Sequence, residues 1–380
     1  MNVSIIGWYG TETLGDRAIL DGIVTIFCEA YNFVEFSIGS LYPFVTERTL
    51  LEDEKFYKKN SPNCSFKIFD IKVKAITKQN IEKANIVLMG GGPIMDINDI
   101  KLIINAFKFA RKKKIRTMLF GCGLGPLNTE FGKKQAYKLL KLTDDIIWRD
   151  NLSQKICLDL FGAFKTTVLK DPAIISVMRY KENNSRKTQN YVSINLRRFT
   201  SEYGKSKDIS KESIQTLLQE VSKLKIAEEI HLVPNHSFYI GGDDREYYAE
   251  ITQNLKMPGL KVYYKPPTLE QVYQEYANAC GCIGMRYHTI VFQTILCGNN
   301  LIIDYTNPKK GKIKGFLQEC TTDKKYVTRY TNIQEIGISA VTTKVVELDQ
   351  KVELEFKLNS KNCINEYLHI LKQPDIGRIY

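Results

Sequence analysis

Short apolar runs alternate with amphipathic stretches from the first residues of the chain. Val3–Gly7 reads as a strand, and Asp16–Ala30 as the helix after it. Phe33–Ile38, Phe66–Asp70 and Ile86–Met89 read as further strands, the last running into Gly90-Gly91-Gly92. Ile100, Ile103, Ile104, Phe107 and Ala110 recur at helical spacing, which predicts a helix over Ile100–Lys112. Arg116–Phe120, Ile146–Arg149 and Thr166–Leu169 are strands, with helices at Lys133–Leu142 and Ser153–Phe161 between them. Strands alternating with helices at this pace predict a parallel, doubly wound sheet.

The pattern breaks at Tyr180–Asn190, which is polar and has no apolar period. It then restarts, with strands at Tyr191–Leu196, Glu229–Val233, Lys261–Tyr264, Gly281–Met285 and Leu301–Tyr305. Helices are expected at Lys211–Leu224, Asp243–Gln253, Leu269–Ala279 and Thr289–Cys297. The chain has 380 residues, more than one hydrophobic core usually holds. We therefore expect two α/β domains, 1–179 and 191–347, a linker over 180–190, and a helical tail over 348–380 that packs across both. Two such halves predict a cleft lined by strand ends, where ligands bind in open α/β sheets.

Composition sharpens this picture only slightly. The formal net charge of +12 favours anionic partners, or else reflects solvated lysine faces. No nucleic-acid-binding signature accompanies it. Nine irregularly spaced cysteines, mostly inside apolar runs, suit free thiols in a reducing compartment. No ligand set for a metal is evident. The N-terminus lacks the basic region and long apolar core of a signal peptide, and no apolar run is long enough to span a bilayer. The expectation is a cytoplasmic protein, with peripheral contact at the inner face of a membrane left open.

The residues able to do chemistry stand at strand ends. In Gly7-Trp8-Tyr9-Gly10-Thr11, Tyr9 can stack on a sugar, while Asp16 stands where a helix N-cap belongs. This loop is neither Gly-x-Gly-x-x-Gly nor a Walker sequence, so dinucleotide and P-loop binding are unsupported. Gly90, Gly91 and Gly92 precede Pro93-Ile94-Met95-Asp96, and Gly123 lies in Gly121-Cys122-Gly123-Leu124-Gly125-Pro126. Both segments would let a ligand approach the backbone closely. Arg149, in Arg149-Asp150-Asn151, suits a clamp on carboxylate or phosphate and equally a salt bridge to Asp150. Arg197 or Arg198 would reach the cleft from Asn195-Leu196-Arg197-Arg198. The sharpest segment is Gly284-Met285-Arg286-Tyr287-His288, where an Arg and a His open an apolar helix. A helix start favours anions, and a His there can give a proton or hold a phosphate. His236 is expected near the cleft, and His231 and His369 in structural roles. Lysines after Asp304, among them Lys309 and Lys312, bring point charges to the same edge.

Taken in order, these segments resemble the polysaccharide pyruvyl transferase family. The resemblance rests on Gly-Trp-Tyr-Gly with Leu-Gly-Asp, Gly-Gly-Gly-Pro-Ile-Met-Asp, Gly-Cys-Gly-Leu-Gly-Pro-Leu, Trp-Arg-Asp-Asn-Leu-Ser, Asp-Pro-Ala, Ile-Asn-Leu-Arg, Met-Arg-Tyr-His-Thr-Ile-Val-Phe and Lys-Ile-Lys-Gly-Phe. It spans Gly7 to Phe316. It implies two Rossmann-like domains similar to the B-type glycosyltransferases, with phosphoenolpyruvate as donor substrate and no cofactor. The implied acceptor is a sugar of a polysaccharide or lipid-linked glycan, two of whose hydroxyls become bridged by pyruvate in a cyclic ketal. Donor binding is implied for Arg149, Arg286, His288 and Lys312, to which we add Arg197. Catalysis is expected of His288 with Arg286. The acceptor side is implied for Tyr9 and Thr11, and we extend it to Asp16 and Asp96. Arg17 stands where the family often has an acid, and Tyr287 where it often has Leu; both differences bear on the acceptor. Two other readings share the expected fold or charge: a B-type glycosyltransferase using a nucleotide sugar, and a noncatalytic glycan-binding protein.

Overall fold

A computed structural model describes residues 1–11, 13–90, 92–199, 209–306, 311–320, 326–350 and 358–373. The strands in chain order are β1 (Asn2–Ile6), β2 (Val34–Ser40), β3 (Cys64–Asp70), β4 (Ile86–Met89), β5 (Pro93–Ile94), β6 (Arg116–Leu124), β7 (Asp145–Trp148), β8 (Thr166–Val168), β9 (Gln189–Asn195), β10 (Glu229–Leu232), β11 (Leu260–Val262), β12 (Ala279–Gly284), β13 (Asn300–Asp304) and β14 (Tyr330–Asn332). They form two sheets. One runs β3-β2-β1-β4-β6-β7-β8, with β5 beside β6, and the other β11-β10-β9-β12-β13-β14. Every pairing within them is parallel. The fold is thus the expected pair of Rossmann-like α/β sheets.

The chain divides into two compact units, one of Met1–Ser176 with the residues from Asn359 onward, the other Val177–Leu358. The division falls inside the helix Pro172–Asn183, so Tyr180–Asn183 are helical where a linker was expected, and Gln189 already opens β9. Only residues 184–188 between them form an irregular connection. The tail helix Ser360–Leu371 belongs to the first unit alone. Its Tyr367 hydroxyl donates to the Lys170 carbonyl at 2.7 Å, and its ring lies 4.6 Å from that of Phe120. Arg116, paired with Asp145, donates to the carbonyls of Ile370 and Leu371 and so satisfies the helix C-terminus.

Both cores follow from burial. In the first unit β4 is buried at every residue, Ile-Val-Leu-Met, and the helix Ile100–Lys112 lays Ile100, Ile103, Ile104, Phe107 and Ala110 onto the sheet. In the second, β12 reads Ala-Cys-Gly-Cys-Ile-Gly, buried throughout, as a strand flanked by β9 and β13 must be. None of the cysteines forms a disulfide: Cys28 and Cys64 are half-buried and the others buried. No helix among the described residues is long and apolar enough to cross a membrane.

Candidate functional site

In the second unit β12 delivers Met285 and Arg286 to the middle of the sheet's carboxyl edge. The helix Tyr287–Leu296 starts at once, close against the strand. A side chain at Gly284 would collide with Gln293, whose amide donates to the Ile283 carbonyl at 3.2 Å. Arg286 is the N-cap by position but makes no side-chain cap. Its guanidinium turns to Asp244 instead: Nε lies 2.9 Å from both carboxylate oxygens, and Nη2 donates to Oδ1 at 2.5 Å and to the Gly242 carbonyl at 3.0 Å. The Arg286 side chain keeps 15% exposure, and Nη1 has no hydrogen-bond partner among the described residues. One edge of the fork is anchored and the other remains able to bind.

Asp244 is the hub beneath this arginine. Fully buried, it also accepts from the backbone N–H of Asn235 at 3.0 Å and of His236 at 3.1 Å, and from Asn195 Nδ2 at 3.3 Å. Asn195, at the end of β9, donates to the Val233 carbonyl and accepts from the Thr289 hydroxyl at 3.1 Å. The Tyr248 hydroxyl closes the network by donating to the Val233 carbonyl at 2.9 Å. Three strand ends and two helix starts are thereby locked together. An Asp in a first helical turn reads as a helix-end charge, so the sequence carried no signal of this role.

Other cations gather on the same edge. His288 is half-buried in the first turn of its helix, its ring 5.0 Å from that of Tyr287 and 6.2 Å from that of Phe292. Lys312 opens the helix Lys312–Cys320 and sets its ammonium 5.3 Å from the Tyr287 ring centre. Arg197, buried, covers the Tyr305 ring at 4.9 Å and donates to its hydroxyl at 3.2 Å. Burial, helped by the charges of Arg286 and Arg197, holds the His236 imidazole down to about 4. Its Nε2 donates to the Ile240 carbonyl at 2.5 Å, which is the donor role a neutral ring has there. Asp304, at the end of β13, is pushed up by burial against the opposing pull of bonds from Thr306 and Tyr330 and the Lys312 charge. The balance of this edge is cationic, beside the partial positive charge of a helix start. Lys309 lies outside the described residues, as does Gly91.

The first unit is built otherwise. Arg149 follows β7 and has a side chain only 3% exposed. Nη1 donates to Asp171 at 3.2 Å, and Nε lies 3.4 Å from Asp150. Gly123 serves this side chain, for a Cβ there would stand 2.8–2.9 Å from the guanidinium. Gly90 likewise makes room for Ile23, and Gly92, at φ 72°, for Trp8. These glycines admit the chain's own atoms, where approach by a ligand was expected. Asp96 is engaged by Thr129, through its N–H and hydroxyl at 2.8 Å each, and by the Asn128 N–H. Asp16 is not the N-cap of the first helix. Thr13 is, accepting from the Asp16 N–H at 3.0 Å, while its hydroxyl donates to the Asp16 carboxylate at 2.6 Å. Tyr9 is 5% exposed, and its burial drives the phenol well above its usual range, so its ring offers no face for stacking. Thr11 donates to the Trp8 carbonyl at 2.8 Å.

A family model described as polysaccharide pyruvyl transferase matches residues 14–307. The chain belongs to that family. The match includes Arg149, Arg197, Arg286 and His288, and leaves Tyr9, Thr11 and Lys312 outside it. No curated protein sequence matches this pyruvyl transferase family member. Solved structures resemble it in fold. A Listeria monocytogenes protein assigned as a UDP-N-acetylglucosamine 2-epimerase is 10% identical with a TM-score of 0.63, over 98% of this chain and 96% of that one. The Methanocaldococcus jannaschii UDP-GlcNAc 2-epimerase, in complex with UDP-GlcNAc and UDP, is 13% identical with a TM-score of 0.60, over 98% and 99%. Anabaena HepE, in complex with UDP-glucose, is 12% identical with a TM-score of 0.55, over 98% and 99%. These likenesses give the family member a fold like that of the B-type glycosyltransferases.

Proposed function

We propose that the protein moves the pyruvyl group of phosphoenolpyruvate onto two hydroxyls of a sugar in a polysaccharide or lipid-linked glycan precursor, forming a cyclic ketal and releasing phosphate. The observation that carries this reading is the anchored Arg286. Asp244 fixes one edge of its guanidinium and leaves Nη1 unclaimed among the described residues, with His288 in the first turn of the helix that follows. Phosphoenolpyruvate carries a carboxylate and a phosphate, and fixed cations stabilise both without reorganising during the reaction. Arg286 grips one of these groups; Lys312 and Arg197 add positive charge for the other.

His288 gives a proton to the methylene carbon. A sugar hydroxyl adds to the neighbouring carbon and loses its proton. The first hydroxyl's proton restores His288, and the second hydroxyl displaces phosphate, which takes up its proton, so that two C–O bonds to sugar replace the π bond and the C–O bond to phosphate. The methylene becomes the methyl of the ketal, and no water is consumed. Arg149, enclosed by two carboxylates, supports the fold of the first unit instead of the donor.

The test is incubation of the protein with phosphoenolpyruvate and a panel of glycan acceptors, following phosphate release and product mass. Acceptor-dependent phosphate release with a ketal-sized mass gain is expected. Transfer from a nucleotide sugar in the same panel, with phosphoenolpyruvate unused, would replace this reading by glycosyl transfer. Stoichiometric glycan binding without product would replace it by a binding role.

A further inference from the structure

The loop after β10 carries a feature that the donor chemistry leaves unused. Phe238, Tyr239 and Ile240 follow Ser237 in sequence, and Tyr239 is 69% and Ile240 41% exposed. Three adjacent apolar residues at a loop tip are not a scattered surface hydrophobe. The Phe238 ring backs that of Tyr239 at 4.6 Å. The loop is also pinned. His236 Nε2 donates to the Ile240 carbonyl at 2.5 Å, Arg245 Nη2 to the Ser237 carbonyl at 3.2 Å, and Arg286 Nη2 to the Gly242 carbonyl at 3.0 Å. Gly241 and Gly242 take φ of 91° and 84°, the left-handed geometry that turns the chain back to Asp244. The arginine read as the donor's clamp therefore also sets the position of the aromatic tip.

We propose that Tyr239 is the stacking platform for the acceptor sugar in the second unit, with Ile240 extending its apolar face. This rests on the pyruvyl-transfer reading of the site. The apolar C–H face of a pyranose matches an exposed aromatic ring, whose hydroxyl end remains wet. Residues 237–242 carry no charge in a chain of net charge +12, and the flanking Asp243 is paired with Arg245. A tip that touched an anionic bilayer would be expected to carry basic residues beside its apolar ones. The occupant that fits is a neutral sugar ring.

The experiment uses Tyr239→Ala and Tyr239→Trp in the full-length protein. With phosphoenolpyruvate and an acceptor glycan, Y239A should raise the acceptor KM roughly 3- to 10-fold, leave the phosphoenolpyruvate KM in place, and keep the thermal midpoint. Y239W should recover most of the loss. An unchanged acceptor KM, or a change confined to the phosphoenolpyruvate KM, would overturn the assignment. The second readout needs no turnover. Trp8 and Trp148 are 6% and 0% exposed, so the tryptophan of Y239W is the exposed fluorophore. Galactose-, glucose- and N-acetylhexosamine-terminated oligosaccharides should quench it saturably. Silence toward all of them, or a blue shift with phosphatidylglycerol vesicles alone, would overturn the proposal. A saturable glycan response in a protein that transfers no pyruvyl group would defeat the reaction and leave the subsite standing.

Discussion

Arg149 and Arg286 look alike in sequence: each follows an apolar strand and precedes a helix. Their surroundings separate them. Arg149 has two carboxylates, Asp150 and Asp171, and a side chain 3% exposed. Arg286 has one, Asp244, and 15% exposure with Nη1 unclaimed among the described residues. The first cluster is negative in balance and closed; the second is neutral in its pair and opens onto further cations. A strand-end arginine is thus read by the carboxylates that reach it, not by its place on the strand. An anionic substrate gains from the second arrangement and is repelled by the excess carboxylate of the first.

The comparison breaks most visibly if chemistry does not sit beside Arg286. His288→Gln retains an N–H donor but cannot pass a proton. Turnover should fall about 10²- to 10⁴-fold with phosphoenolpyruvate binding largely kept. The measurements are single-turnover ketal formation and equilibrium donor binding. A fall in binding equal to the fall in rate would make His288 a phosphate ligand, and near-normal turnover would remove it from the mechanism.

The next effect concerns the arginines themselves. Arg149→Met leaves Asp150 and Asp171 buried without their counter-charge, a loss of about 3–5 kcal/mol in stability. Arg286→Met uncovers one carboxylate, Asp244, where R149M uncovers two, so its stability loss should be smaller. Its donor affinity should fall by about tenfold or more, the loss of a charge-assisted bond. Denaturant unfolding and donor titration on both variants give the test. Equal destabilisation, or donor binding lost only in R149M, would invert the assignment.

Much of the fold was legible because buried parallel strands are continuous apolar runs and their helices keep a period. The helix Ile100–Lys112 has the bounds that its five apolar positions predict. The helix Pro43–Glu52 was not read, since only Val45 and Thr46 of it are buried and its apolar period is weak. Strand β14, three residues long, was too short to show a pattern. At the sites, residue type was legible and partner was not. Asp244 is bonded to Arg286, 42 residues away, and Arg149 to Asp171, 22 residues away. Gly90 and Gly123 did announce close approach, but of Ile23 and Arg149. A glycine reports that something comes near without saying what.

The smallest effect tests whether titration in the second unit is confined to the site edge. His231, in β10, lies away from that edge, with Nδ1 2.9 Å from Glu275 and Nε2 3.1 Å from Glu229, stacked 4.1 Å from Tyr191. Burial lowers its pKa, but the bond and charge of Glu275 and the bond to Glu229 outweigh burial and the Lys261 charge and raise it. His236, beside Arg286 and Arg197, is displaced the other way. A raised folded-state value means that the unfolded chain releases its proton first. The stabilisation is therefore complete below the ordinary histidine pKa of about 6.5 and is lost as pH rises through the raised value. His231→Gln removes that contribution, so its deficit in thermal midpoint should be larger at about pH 6 than at about pH 9, by a few degrees. Donor binding should be unaffected at both. A pH-independent deficit would mean that His231 is neutral and serves by stacking on Tyr191 alone.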